Sequence, residues 1–157
     1  MLFQTDGGFR GTPIPRWGCY FMSLVGMVEL DTGHVFTIAD VLEAYHLSAD
    51  RHHIDMNCYV GAPDGVLANA REIASKRDGK AYLGRIYQVG INDVQGERYW
   101  PWVPDKAREP DWVVNKLKTA TGFHFTLGNN AGDEVFNPDP TVQTFGRRAL
   151  VYYHKFG

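Results

Sequence analysis

The stretch that decides the fold is residues 15–30, with the sequence PRWGCYFMSLVGMVEL. After Gly18 it is apolar on nearly every helical face, which indicates a buried helix because a surface helix keeps one polar side. Cys19 falls in the first turn of this predicted helix, beside unpaired backbone N–H groups and the positive end of the helix dipole. Both effects stabilise a thiolate, so the position predicts a lowered thiol pKa and a nucleophile. The alternative is that Cys19 is a small core residue, as most free cysteines are.

The composition predicts one globular domain over residues 1–157. A hydrophobic content of 44% and a charged content of 22% are ordinary for a chain that buries a real core. The net charge of −2 and the lack of a basic run argue against a nucleic-acid surface. No stretch approaches the roughly 20 apolar residues of a membrane span.

The N-terminus and the two cysteines indicate the expected location of the protein and whether a cofactor is expected. No secretory leader is visible at the N-terminus, so the expected location is cytoplasmic, although a phage lysis enzyme can leave the cell without a signal of its own. Cys19 and Cys58 form neither a CxxC nor a metal-ligand pattern, and two reduced thiols are expected. A metal site built from His46, His52 and His53 with Cys58 matches no ligand spacing, so no metal or cofactor is expected.

Helices are predicted in the first half of the chain. The apolar helix spans about residues 18–30, and residues 37–40 have the form of a capping box that opens a second helix. His34 falls between them, in a predicted loop. Asp64 is predicted to cap a third helix that ends at Gly79, and residues 48–63 are expected to form a loop with at most a short strand.

Strands are predicted in the second half, which gives an α+β fold with the central N-terminal helix packed on an antiparallel sheet. A glycine-rich turn joins residues 122–127 and 134–137 as a hairpin. Residues 112–117 are ambiguous between helix and strand, and the two prolines of residues 98–104 confine that aromatic segment to an edge or a loop. The remaining predicted strands are residues 81–89 and 149–155.

A thiolate nucleophile needs a base and a group that orients the base. His124 begins an apolar strand, and the returning hairpin arm carries Asn137 and Asp139, so an imidazole can meet an amide or a carboxylate there. The order Cys19, His124, Asp139 is the order found in papain-like enzymes. Considered alone, His124 is equally well interpreted as a hydrogen-bonded residue of a strand without a catalytic role. Asp139, considered alone, is equally well interpreted as a turn residue.

The same residues resemble those of a known family. Three features near the N-terminus carry the resemblance: Gln4, the triplet at residues 17–19, and the apolar helix with Ser23. They resemble the N-terminal half of bacterial papain-like peptidases of the bacteriocin-leader type, which form the peptidase domain of certain ABC transporters. Residues 123–127, a glycine-rich turn and residues 135–140 resemble the C-terminal half. Residues 31–110 align with no motif of that family.

The resemblance implies a papain-like fold and four site residues. Cys19 is then the nucleophile, His124 the general base and Asp139 the orienting group, with Asn137 as the alternative third member. Gln4 and the Cys19 backbone N–H are then the oxyanion donors. One departure is that bulky residues 20–21 follow the cysteine, where the family has small ones, and these could crowd the cleft.

The expected function is cleavage of a peptide or amide bond through an acyl-thioester, in a protein or in a cell-wall peptide. Residues 99–104 could line the groove. An acyl transferase with the same triad is a further possibility, and so are a structural protein and a catalytically inactive papain-like binding module. An open groove with sulfur and imidazole close together favours the enzyme, whereas a plugged groove favours the binding module.

Overall fold

A computed structural model describes residues 1–82, 86–92 and 110–155, and in it the helices precede the sheet. A 3₁₀ turn at Gly7–Phe9 is followed by the helices α1 Ile14–Trp17, α2 Cys19–Thr32, α3 Ile38–Asp50 and α4 Pro63–Asp78. The strands are β1 Ile86–Asn92, β2 Trp112–Lys118, β3 Phe123–Gly128, β4 Glu134–Phe136 and β5 Phe145–Lys155. The strand order is β1-β5-β2-β3-β4, and every pairing is antiparallel. The predicted α+β class is confirmed.

The helix α2 is the buried centre of the fold. Nine of its 14 residues are buried, and it packs on both α4 and the sheet strand β3. A Cβ at Gly26 would lie 2.9 Å from the Met1 sulfur and 3.3 Å from the Phe136 ring, so the glycine lets helix and strands approach closely. Gly33, in the left-handed region at φ 79°, ends the helix. The prediction of a buried central helix is confirmed.

The helix starts follow local sequence rules, with one correction. In α3 the Thr37 hydroxyl accepts from the Asp40 N–H and the Asp40 carboxylate accepts from the Thr37 N–H, each at 3.2 Å, so the capping box is confirmed. Asp64 does not cap α4, because the helix already begins at Pro63 and Asp64 lies in its first turn. A proline at the first position fits there because its missing N–H would have no helical partner.

In the second half, the ambiguous segment at 112–117 is the strand β2, which lies between β3 and β5. The predicted hairpin is β3 and β4, and its turn is closed by the Asn129 side-chain oxygen, which accepts from the N–H groups of Ala131 and Asp133. The short strand expected in the loop at 48–63 is a single bridge between Ile54 and Val60. The predicted segments at 98–104 and 83–85 lie outside the described residues.

One apolar core joins the helices to the sheet. Its largest cluster combines buried residues of α2, α3 and α4 with Leu127, Leu150 and Tyr152 of the strands. Among the helices of the described ranges, none has the length and apolarity required to cross a membrane.

His34 ties the ends of three helices together. Its Nδ1 lies 2.9 Å from Asp78 Oδ1 and its Nε2 lies 3.0 Å from Asp40 Oδ2. Because carboxylates only accept, both ring nitrogens carry a proton and the imidazole is a cation. Burial lowers the pKa of His34, but these hydrogen bonds outweigh burial, and the pKa is raised above its ordinary value. Burial likewise raises the pKa of Asp40, yet its bonds to His34, Thr37 and Arg77 lower it overall.

We expect this His34 junction to make stability fall with rising pH. A raised histidine pKa contributes stability that is complete below the unfolded value of about 6.5 and is lost as pH rises through the folded value. Glutamine does not titrate. The His34→Gln variant should therefore lose on the order of 1 kcal/mol of unfolding free energy at low pH, and its unfolding free energy should depend less on pH. Urea unfolding between about pH 6 and pH 9 measures this. An unchanged pH slope in the variant would contradict the assignment.

Candidate active site

The four residues predicted for the site line one open cleft. Gln4, Cys19, His124 and Asp139 all contribute to a cleft of about 590 Å³, where the start of α2 meets one end of the strands β2 and β3. The structure thus brings together residues that lie at opposite ends of the chain.

Cys19 is the first residue of α2, and the residue is only 9% exposed. Burial raises the pKa of the thiol above its ordinary value; the backbone N–H groups of Phe125, Tyr20 and Cys19 itself oppose this, and the Asp139 carboxylate adds to it. The lowered pKa predicted from the helix start is therefore wrong. The desolvation of a buried thiolate outweighs the donors that face it.

The two bulky residues after Cys19 leave the cleft open. Phe21 is fully buried in the core and meets Tyr45 edge to face, with ring centroids 6.3 Å apart. Tyr20 stacks on Phe125 at 4.5 Å, with the rings 8° from parallel, and its hydroxyl pairs with the hydroxyl of buried Tyr152. The expectation that these side chains crowd the cleft is wrong, because neither lines it: Phe21 lies in the core, and Tyr20 lies flat against Phe125, a residue of the cleft wall.

His124 lies in β3 and its imidazole is held in one orientation. Its Nε2 is 2.7 Å from Asn137 Oδ1, and the same oxygen accepts from the Asp139 backbone N–H at 3.1 Å. Because a backbone N–H can only donate, the Asn137 atom is the oxygen and Nε2 carries the proton. The lone pair of His124 is therefore on Nδ1, which is the nitrogen that can act as a base.

Asp139 does not orient the imidazole. Its Oδ1 accepts from the backbone N–H of Thr141 at 3.1 Å and from the Thr141 hydroxyl at 2.6 Å, which closes a local turn. The side chain that holds the imidazole is instead Asn137, the alternative third member, which directly follows β4. The carboxylate of Asp139 still lines the cleft and opposes a negative charge on the Cys19 sulfur.

Gln4 is buried and pins the N-terminal segment to the site. Its backbone N–H donates to the Pro138 oxygen at 3.0 Å, and its Nε2 donates to the Pro15 oxygen at 3.1 Å. An amide nitrogen carries two hydrogens, so one remains for a group in the cleft. Through these two hydrogen bonds, Gln4 connects the segment that precedes Cys19 with the segment that carries Asn137.

The thiol of Cys19 and the imidazole of His124 line the same cleft without a hydrogen bond between them in the part of the chain that the structure describes. Unliganded sites often have longer catalytic contacts that tighten on binding. Within the same residues no group of three His, Cys, Asp or Glu side chains is placed to hold a metal. Of the set considered for one, His53 bonds instead to Asn69, and Cys58 is buried in the core cluster.

Several cleft residues were not predicted. Trp17, Tyr59 and Lys116 line the cleft, together with Asp55 and Asn57. Asp55 Oδ1 accepts from the backbone N–H groups of Asn57 and Tyr59, and this turn holds the Tyr59 segment in the wall of the cleft. The Asp-x-Asn spacing at residues 55–57 is a turn signal that was available in the sequence. Because residues 55–57 lie far from Cys19 in the sequence, the turn signal did not indicate that they belong to the site.

Comparison with known proteins gives one result. A family described as "Protein of unknown function, DUF261" matches residues 2–99, which is more than half of the chain. The matched range contains Gln4 and Cys19, whereas His124 and Asn137 lie beyond it. No curated protein and no solved structure matches.

Proposed function

Because the chain belongs to the DUF261 family, whose function is unknown, we propose an activity from the site itself. The protein is a papain-like, cysteine-dependent hydrolase that cleaves a peptide or amide bond through an acyl-thioester. One observation carries the proposal: Cys19 at the start of a buried helix and His124, held by Asn137, line the same open cleft.

The chemistry follows from the protonation states. The raised pKa of Cys19 means that the free site holds a thiol, so proton transfer accompanies attack. His124 Nδ1 takes the thiol proton as sulfur bonds to the substrate carbonyl carbon, while Asn137 keeps the imidazole in the required tautomer. The free amide hydrogen of Gln4 and the Cys19 backbone N–H are the donors for the resulting oxyanion.

Two further steps complete the cycle. The C–N bond of the substrate breaks, and His124 gives its proton to the leaving amine. An acyl-thioester on Cys19 remains. Water then attacks the thioester carbon while His124 accepts a proton from it. The C–S bond then breaks, His124 returns the proton to the Cys19 sulfur, and the carboxylic acid leaves. The proposed substrate is a protein or cell-wall peptide, and the proposed site of synthesis is the cytoplasm.

The competing proposal is a binding module that keeps the scaffold without catalysis. It is favoured because, within the residues that the structure describes, no hydrogen bond joins the Cys19 thiol to the His124 imidazole. The open cleft favours the hydrolase instead, because neither of the two bulky residues that follow Cys19 lines it.

An acyl-transfer assay separates the two proposals. We expect p-nitrophenyl acetate to give a burst of nitrophenolate equal to the protein concentration, with one acetyl group mapped to Cys19 by mass spectrometry. The burst rate should rise with pH, since the thiol pKa is raised. Cys58, which is more deeply buried and has a pKa raised to about 12, is the internal control. Acetylation of neither cysteine, or of both at equal rates, would overturn the hydrolase.

A further inference from the structure

Ser23 is a fully buried polar residue in α2, one helical turn after Cys19. Its hydroxyl oxygen lies 2.8 Å from the Cys19 carbonyl oxygen and 3.4 Å from the Phe125 carbonyl oxygen. A hydroxyl has one hydrogen and both carbonyls only accept, so Ser23 donates to one of them or shares its hydrogen between the two. The hydroxyl therefore links the first turn of α2 to the strand β3.

The strand residue at this contact turns both of its backbone groups toward α2. The Phe125 N–H donates to the Cys19 sulfur, and the Phe125 carbonyl faces the Ser23 hydroxyl. The strand β4 does not reach this point, since its pairing with β3 covers only Leu127 and Gly128. The start of α2 thus takes the place beside Phe125 that a neighbouring strand would have.

The contact lies between the proposed nucleophile and the proposed base. Cys19 precedes Ser23 on the same helix, and His124 directly precedes Phe125 in β3. Apolar packing alone does not fix where a helix sits along a strand, because the hydrophobic effect has no direction. A hydrogen bond has a preferred distance and angle, so the Ser23 hydroxyl can fix that position. Ser23 itself is not among the residues that line the cleft.

We propose that Ser23 is a positioning residue, whose hydroxyl holds the Cys19 end of α2 in place relative to His124 through the Phe125 carbonyl. The proposal rests on the proposed hydrolase, because it takes Cys19 and His124 to be the nucleophile and the base. A displacement of about 1 Å between reacting groups can slow a reaction about 10²-fold. Ser23 thus acts on acylation without touching the substrate.

Replacing Ser23 with alanine tests this role, because alanine removes the hydroxyl and favours a helix. The rate of Cys19 acetylation at saturating p-nitrophenyl acetate should fall about tenfold or more, with the half-saturating ester concentration unchanged. The pH profile of Cys19 alkylation by iodoacetamide should move to higher pH. The reason is that the sulfur loses its fixed place beside the Phe125 N–H, a contact that lowers the thiol pKa.

Ser48→Ala is the matched control. Ser48 is also fully buried, and its hydroxyl accepts from the Asn69 amide at 3.0 Å, but it lies in α3 and outside the cleft. Each alanine variant loses one buried hydroxyl, so both should unfold at lower urea concentration than the parent protein. Only Ser23→Ala should change the acetylation rate and the alkylation profile. Ser23→Cys, whose S–H is a weaker donor, should give values between those of the parent protein and Ser23→Ala.

The outcomes separate the positioning role from the hydrolase. Parent-like rates and profiles in Ser23→Ala, or an equal loss in Ser48→Ala, would overturn the role of Ser23. If Ser23→Ala does not fold, parent-like values in Ser23→Cys would overturn it. Alkylation does not depend on hydrolysis, so a shifted profile in a protein without an acetyl burst supports the contact and refutes the hydrolase. A burst on Cys19 with an unshifted profile refutes the positioning role alone.

Discussion

Replacing Cys19 with alanine should abolish acyl transfer, with a loss of about 10⁴-fold or more. The reason is that the proposed covalent intermediate forms on the sulfur, and no other thiol lines the cleft among the described residues. The fold should survive, because alanine is smaller than cysteine and the helix start at Gly18 is unchanged. The measurement is the nitrophenolate burst, together with the mass of the trapped acyl-protein.

Cys58→Ala is the matched control. Cys58 is 1% exposed and belongs to the core cluster, so its loss costs packing but removes no group from the cleft. We expect a stability loss on the order of 1 kcal/mol and a burst within a factor of two of the parent protein. If Cys58→Ala lost the burst while Cys19→Ala kept it, the nucleophile would be assigned to the wrong cysteine.

The elements that the sequence predicted best are those with a local cause. The capping box at Thr37 and Asp40 forms because its two hydrogen bonds join residues three apart in the chain. The hairpin at residues 123–136 forms around an Asn129 turn for the same reason. The buried helix could be predicted because a helix without a polar face is not stable at the protein surface.

The errors concern quantities that depend on distant residues. The thiol pKa of Cys19 was misjudged because its burial comes from the strand and turn segments that pack around it, and the sequence shows only the helix start. The choice between Asn137 and Asp139 depends on which of these two side chains, one on each side of Pro138, faces β3, and the sequence alone does not decide it. Tyr20 and Phe21 were judged by size, whereas their partners Phe125 and Tyr45 determine where they point.

The second large effect is expected at Asn137. Asn137→Ala should slow acylation of Cys19 about 10²-fold or more, because it removes the acceptor that keeps the proton on His124 Nε2. Without that acceptor the imidazole is free to rotate and to carry its proton on Nδ1, the nitrogen that must accept from the thiol. Burst rates between about pH 5 and pH 10 separate this loss from a change in the thiol pKa.

Two companion substitutions make the assignment specific. Asn137→Asp should retain most of the rate, because a carboxylate oxygen can accept from both His124 Nε2 and the Asp139 N–H. Asp139→Asn should not slow acylation; it removes a negative charge that raises the Cys19 pKa, so its pH profile should move to lower pH. If Asp139→Asn slowed acylation as much as Asn137→Ala, the carboxylate would be the orienting group in the working enzyme. The hydrogen bond between His124 and Asn137 would then be a feature of the resting site alone.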